Sequence, residues 1–256
     1  MSENHPTRSH RQTLTVEFAR AAAGFDRRTT GRFDDLGVLD FAEVGPGDAV
    51  LEVGAGTGNF LGLFAHAARL LVAVDLSPVM LGLARRSHPR LGLITGDGAR
   101  LPLRSGSVEL VTSAQTLHHV ARPLEILKEM VRVMTPEGRL LIVDQVATER
   151  FEEAVVMNEL EVVRDPSHAA SRPPSALRTV VKAAGLDIAD ERIVEVDERF
   201  SEWMLAGEFP PERIDAVQAF IGRWGDATGM GWRHDGREWR FTRRRMMLLA
   251  QRPGPS

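Results

Sequence analysis

Apolar residues in this chain gather into short runs, and the runs alternate with stretches of helical spacing. Val50 to Val53, Leu70 to Val74 and Leu140 to Val143 are too short for helices and suit buried strands. The pattern predicts a first strand at about Ala49–Val53, a helix from Asn59 to about Ala68 and a second strand at Leu70–Asp75. Ser77 is a good N-cap and Pro78 a good first helical residue, so a helix runs from there to about Ser87. A third strand falls near Leu91–Thr95 and a fourth around Leu110 and Val111. Pro123 opens a helix with Leu124, Leu127, Met130 and Val131 on one face, and the turn Thr135–Gly138 feeds a fifth strand from Arg139 to Val143. Strand–helix alternation at this spacing means a parallel sheet with helices on both faces. Such sheets bind ligands at the carboxyl ends of their strands, so the rim should carry Asp75, Asp97, Ser113 and Asp144.

After Gln145 the rhythm changes. Phe151, Val155, Val156, Leu160 and Val163 mark an amphipathic helix, and Asp165-Pro166-Ser167-His168 a turn. A helix follows from Pro174 to Ala184, stopped by Gly185, then a strand from Ile188 to Val196. A single helical stretch is expected from Ser201 to about Trp224, and a last strand from Phe241 to Ala250. Near the N-terminus, positions from Thr13 to about Ala23 fit a helix that Gly24 could end.

The chemistry concentrates where the first strand ends. Val50 to Asn59 reads Val-Leu-Glu-Val-Gly-Ala-Gly-Thr-Gly-Asn. Gly54, Gly56 and Gly58 let the backbone turn sharply and leave no side chain between loop and ligand. Asp75, ending the next strand, can accept hydrogen bonds from both hydroxyls of a ribose. A dinucleotide loop spaces its glycines G-x-G-x-x-G around a pyrophosphate; here the pattern is E-x-G-x-G-x-G, followed by Asn59. The Glu52 carboxylate would repel a pyrophosphate and attract an ammonium or sulfonium. The ligand so predicted has a ribose and a cationic end, and a nicotinamide oxidoreductase is disfavoured.

With these residues the chain resembles the class I methyltransferases that use S-adenosylmethionine (SAM), and among them the small-molecule enzymes of ubiquinone and menaquinone biosynthesis. The resemblance runs on in register through Asp97-Gly98-Ala99, Leu117-His118-His119 and Pro136 to Leu141, and is strongest over residues 46–147. It implies a Rossmann-like α/β fold: a doubly wound, mostly parallel seven-stranded sheet whose reversed last strand pairs inside it, with helical lid segments. It divides the chain into an N-terminal helical lid segment (1–45), a SAM-binding core (46–150), an inserted helix and lid (151–176) and a C-terminal part of the core sheet with lid helices (177–256). For the cofactor it implies that Glu52, Gly54, Ala55, Gly56, Gly58 and Asn59 hold the methionine portion. Asp75 would hold the ribose with Leu76 beside the adenine, Asp97 the adenine amino group with Gly98 and Ala99 along the ring. Ser113 and Gln115 would face the sulfonium.

On the acceptor side, His118 or His119 could take a proton from a hydroxyl, since an imidazole titrates near ~6.5. Adjacent residues point differently, so one of the two at most should face the methyl. Asp144 could orient a histidine, and His168 could line the lid. The alternative for each is structural: helix capping, a loop cap, or a turn held by Asp165 and Ser167. Arg27, Arg28 and Arg32 could reach the SAM carboxylate or simply be solvated. Trp203, Trp224, Trp232 and Trp239 could wall a planar substrate or form lid core.

Composition narrows the classes. There is no cysteine among the 256 residues, which excludes disulfides, thiolate metal sites and a cysteine nucleophile, and no metal is expected. Net charge is −3, so nothing pulls the chain globally toward nucleic acid or anionic membrane. The expected product is a cytoplasmic transferase, monomer or homodimer, whose partner is a small-molecule methyl acceptor such as a quinone, phenol, polyketide or other secondary metabolite. A non-methylating SAM-binding role, such as a cyclase, is the alternative. Nucleic-acid methylation fits poorly: Ser113-Ala114-Gln115-Thr116 stands where the DNA amino-methyltransferases carry Asn or Asp before Pro-Pro-aromatic.

Overall fold

Every residue of β1 (Ala49–Val53) is buried, and the sheet is built outward from it. The structure is a computed structural model that describes residues 10, 12–18, 20, 31–33, 36–205 and 209–254. β1 pairs in parallel with β2 (Leu70–Asp75) and β4 (Val108–Ala114); β2 pairs in parallel with β3 (Gly92–Thr95), and β4 with β5 (Met134–Gln145). β8 (Trp239–Gln251) runs antiparallel between β5 and β6 (Asp187–Arg199). The order β3-β2-β1-β4-β5-β8-β6 reverses direction between β1 and β4, which makes their tips the switch point. The reversed last strand thus lies inside the sheet, as the resemblance implied. An eighth strand, the two-residue β7 (Arg233–His234), pairs with β8 across a tight turn and is too short to leave an apolar run.

Local signals set most helix starts. Ahead of β1 lies α1 (Val38–Phe41). In α3 (Pro78–Ser87) the Ser77 hydroxyl accepts from the Met80 amide at 3.3 Å, and Pro78 occupies the first turn. Proline likewise opens α4 (Pro123–Val133) and α6 (Pro174–Ala183). α5 (Phe151–Arg164) is the helix that breaks the alternation. Two expected helices differ. The helix after the glycine loop is α only over α2 (Asn59–Gly62) and tightens to 3₁₀ over Leu63–His66. There the His88 ring presses on Gly62, where a Cβ would lie 2.7 Å from it, and bonds the Asn59 side chain. The stretch expected to run from Ser201 to Trp224 is two helices, α7 (Phe200–Leu205) and α8 (Pro211–Trp224). Pro210 and Pro211 lack amide hydrogens and force extended backbone before them, so one helix cannot pass through.

Residues 12–18 are helical, within the stretch expected from Thr13; Gly24, Arg27 and Arg28 lie outside the described residues. One core fills the face of the sheet against α4 and α6, centred on Leu127, Met130, Leu140 and Met246. The other face packs Val50, Phe60, Phe64, Leu141 and Met247. A third core, above the sheet tips, joins Phe200, Trp203, Trp232 and Phe241 to α5 and α8, and Trp239 packs against it. Three of the four tryptophans therefore belong to this third core, and Trp224 is 46% exposed.

Leu127 is fully buried among these residues, so Leu127→Ala leaves a cavity. We expect a loss of about 2–5 kcal/mol, read as a lower urea midpoint with an unchanged slope.

Candidate active site

The cleft opens where β1, β2 and β4 end. Gly54, Gly56 and Gly58 all have positive φ (78°, 53° and 76°), the left-handed region that a side chain would strain. Gly54 also leaves no room: a Cβ there would lie 2.3 Å from the Thr116 side chain, whose hydroxyl donates to the Gly54 carbonyl at 3.0 Å. The loop is tied to β2 by Asp75. One carboxylate oxygen accepts from the Gly56 amide at 2.8 Å, the other from the Ser77 amide at 2.7 Å. Burial raises the Asp75 pKa in spite of these bonds. Glu52 lies beneath the loop, accepting from the Leu61 amide at 3.1 Å. Burial pushes it well above the usual carboxylate range, and the charge of Asp75 adds to the effect. Two carboxylates under one loop make a site that gains from a cation.

Asp97 accepts from the Ala99 amide at 2.9 Å, which folds the loop so that Gly98 faces the cleft. A Cβ on Gly98 would lie 2.7 Å from Val53. Leu76, Gly98 and Ile126 make an apolar slot, and Leu76 is 46% exposed there. Of the expected cofactor residues, Glu52, Gly54, Ala55, Gly56, Asn59, Asp75, Leu76, Asp97, Gly98 and Gln115 line the cleft. Gly58, Ala99 and Ser113 stand behind this lining; Ser113 is buried, its hydroxyl donating to the Val53 carbonyl at 3.1 Å. Gln115 has φ 50°, rare for a residue with a side chain. Its Oε1 accepts from Arg32 at 3.1 Å, and its buried Nε2 has no hydrogen-bond partner.

The two histidines are in different surroundings. His118 is buried, its Nδ1 2.6 Å from Asp144 Oδ1. Burial lowers its pKa well below 6.5, with the charges of His119 and His168 acting the same way, while burial raises Asp144 to about 6. His119 lines the cleft. Its Nδ1 lies 3.0 Å from the Ser167 carbonyl, which can only accept, so Nδ1 carries the proton and Nε2 is the basic nitrogen. Phe18 packs edge-on against its ring at 5.1 Å. The segment after α5 is stitched to this turn: Ala169 and Ala170 amides donate to the His118 carbonyl, and Arg172 donates to the carbonyls of Leu117 and Val120. His168 sits within that segment, bonded to Asn158 at 2.8 Å, and Ser167 donates to Asp165. Among the described residues no three His, Asp or Glu side chains come together to hold a metal, and no helix is long and apolar enough to cross a membrane.

A family profile described as "Methyltransferase domain" matches residues 51–142, which span this loop, the Asp75 tip and the histidine turn. Over these residues the chain carries a methyltransferase domain. It is 37% identical over 107 residues to a demethylmenaquinone methyltransferase of Renibacterium salmoninarum, covering 42% of this chain and 45% of that one. The chain therefore spans under half the length of that relative. It is 26% identical to the uncharacterized methyltransferase YcgJ of Bacillus subtilis, over 73% of this chain and 77% of the other. The YcgJ crystal structure superposes with a TM-score of 0.78 over 85% of this chain. The [4+2]-cyclase SpnF shares the fold at a TM-score of 0.60, 19% identity and 88% coverage of this chain.

The methyltransferase domain implies SAM as methyl donor, and the residues present fit it. The carboxylates of Asp75 and Glu52 suit a ribose and a cation, the loop is held where Gly54 has no room for a Cβ against Thr116, and Gln115 Nε2 is a buried donor awaiting an acceptor among the described residues. Arg243 and Arg245, buried on β8 beside this domain, were not among the expected site residues. Their signal was available. Three consecutive arginines in a strand cannot all face outward, because alternate residues point to opposite faces.

Burial and the neighbouring charges of His119 and Arg164 hold His168 at about 4, although Glu161 and Asp165 act to raise it. The unfolded chain takes up this proton near ~6.5, the folded one only near 4, so stability is full above the first value and falls as pH drops through the second. Asp144, raised to about 6, acts in the opposite sense, losing stability as pH rises through that value. The comparison of wild type with His168→Gln isolates the histidine: on going from pH 7 to pH 5 the urea midpoint of the variant should rise relative to that of wild type.

Proposed function

We propose that this chain is a SAM-dependent methyltransferase that moves a methyl group to an oxygen or activated carbon of a small molecule, with quinones, phenols and polyketides as the fitting classes. The observation that carries the reading is the Asp75 carboxylate closed on the glycine loop beside an apolar slot. In this reading Asp75 takes the ribose hydroxyls, Asp97 the adenine amino group, and Leu76, Gly98 and Ile126 the faces of the ring. Glu52 and the glycine-loop backbone serve the methionine portion, with Gln115 as a further donor. Bound SAM supplies a methyl group already joined to a good leaving group.

What the chain must add is alignment, dryness and, for a hydroxyl acceptor, a base. Orientation alone is worth roughly 7–11 kcal/mol. His119 is the candidate base: it lines the cleft, and its Nδ1–H bond to Ser167 turns Nε2 into the proton acceptor. His118 is a poorer one, because burial disfavours its charged form. With Asp144 it orients the turn, and His168 braces the segment that holds His119. Leu14, Thr15 and Phe18 of the N-terminal helix line the same cleft, which supports residues 1–45 and 151–176 acting together as a lid that excludes water.

A cyclase or other non-methylating role is the second reading, supported by likeness in fold alone. Release of S-adenosylhomocysteine (SAH) on addition of a phenolic acceptor separates the two. Asp75→Ala should weaken SAH binding roughly tenfold or more, since bonds to a charged group are worth about 1.5–3 kcal/mol. Calorimetry showing unchanged affinity would sink the assignment. His119→Gln should leave SAH affinity intact and slow single-turnover methylation of a hydroxyl by about 10²–10⁴.

A further inference from the structure

A second cavity of about 340 Å³ adjoins the cofactor cleft and shares Phe18, Arg32, Gln115 and His119 with it. Its floor is β8. Phe241 and Met247 are fully buried on the inward face of that strand, and alternation puts Arg243 and Arg245 on the same face between them. These arginines are only 4% and 5% exposed, and both line the cavity.

One carboxylate serves both. Glu198 on β6 accepts from Arg245 Nη2 at 2.9 Å. Arg243 Nη2 lies 3.2 Å from its other oxygen, close enough for attraction but out of line for a hydrogen bond. Arg243 Nε and Nη2 and Arg245 Nε are buried without a hydrogen-bond partner among the described residues. Three of the other acids on the wall have cations of their own. Glu17 is paired with Arg213 at 3.0 Å, Glu202 with Arg199 at 3.3 Å, and Asp197 with Arg233 and Arg240. Asp165 accepts from Ser167 and lies in the field of Arg164, which itself pairs with Glu161 at 3.0 Å. On the floor itself two guanidiniums face the one carboxylate of Glu198, the Arg243 charge acting on buried Glu161 as well, and three donor atoms lack an acceptor among the described residues.

We infer that this floor is the anchor for the methyl acceptor, and that the acceptor carries a carboxylate. The inference rests on the methyl-transfer reading of the adjoining cleft. Two planar guanidinium forks suit a planar carboxylate. Two guanidiniums against one carboxylate leave the floor one charge to offer a monoanion, whereas a phosphate dianion would be repelled more strongly by Glu198. Phe18, Trp203 and Phe209 on the walls suit an apolar or aromatic body between that carboxylate and the nucleophilic atom at His119.

The test uses the full chain saturated with SAH, and matched pairs of probes: benzoate and benzamide, 4-hydroxybenzoate and 4-hydroxybenzamide, hexanoate and hexanamide. Binding is followed by quenching of tryptophan fluorescence. At least one carboxylate should bind about tenfold tighter than its amide. Arg243→Met should abolish that preference with SAH affinity unchanged. Glu198→Gln, which removes the internal competitor, should tighten the same carboxylate several-fold, a gain that misfolding cannot produce. The inference is overturned if no carboxylate outbinds its amide up to about 10 mM, if both variants bind as wild type does, or if Arg243→Met weakens SAH as much as the probe. The last result would assign the pair to the cofactor. Failure of wild type to bind SAH at all would strike the methyl-transfer reading instead, whatever the carboxylates do.

Discussion

A single half-buried carboxylate at the tip of β2 holds the cleft in shape. Asp75 grips the amide of Gly56 with one oxygen and that of Ser77 with the other, so the glycine loop, the strand end and the start of α3 share one anchor. Each oxygen still has a lone pair to offer, and a carboxylate accepting backbone amides is fixed in direction before any ligand arrives. The glycines follow from this closure. A loop drawn so near to β2 and to Thr116 has no space for side chains and needs left-handed backbone to make the turn.

Charge is handled differently on the two sides of His119. Toward the loop, Glu52 is buried and Asp75 half-buried, and burial raises both, which favours a ligand that brings its own cation. Toward the lid, arginines outnumber the acids at the floor of the second cavity, which favours a ligand that brings an anion. Glu161 is held at about 2 because the charges of Arg164 and Arg243 outweigh the effect of burial, which places an ion pair beside the aromatic core of Trp203 and Phe241. His119 and Gln115 sit on the boundary between these two fields, and the strained backbone of Gln115 keeps its amide on that boundary.

The parts of this arrangement that depend on neighbours in the chain were legible without coordinates. Ser77 and Pro78 start α3 because cap and first turn are adjacent residues, and the glycine loop is a local backbone demand. The Pro210–Pro211 break was equally local, and apolar spacing on both sides hid it. The histidines were another matter. The motif put His118 and His119 at the rim, but the partner that selects the tautomer of His119 is Ser167, 48 residues away, and the one that buries His118 is Asp144, 26 away. The alternation that turns Arg243 and Arg245 inward is visible in the chain, yet it becomes meaningful only because β8 runs inside the sheet beside β6.

The sequence by itself determined the strand–helix alternation, the glycine turn after the first strand and the acid at the tip of the second, because periodicity, backbone permission and strand ends are set within a few residues. Only the tertiary structure decided which histidine meets the cleft, which side chains stand behind the lining, and where buried arginines lack acceptors. Those outcomes depend on contacts between segments far apart in the chain, and on burial, which no single stretch of residues possesses until the lid and the sheet have packed together.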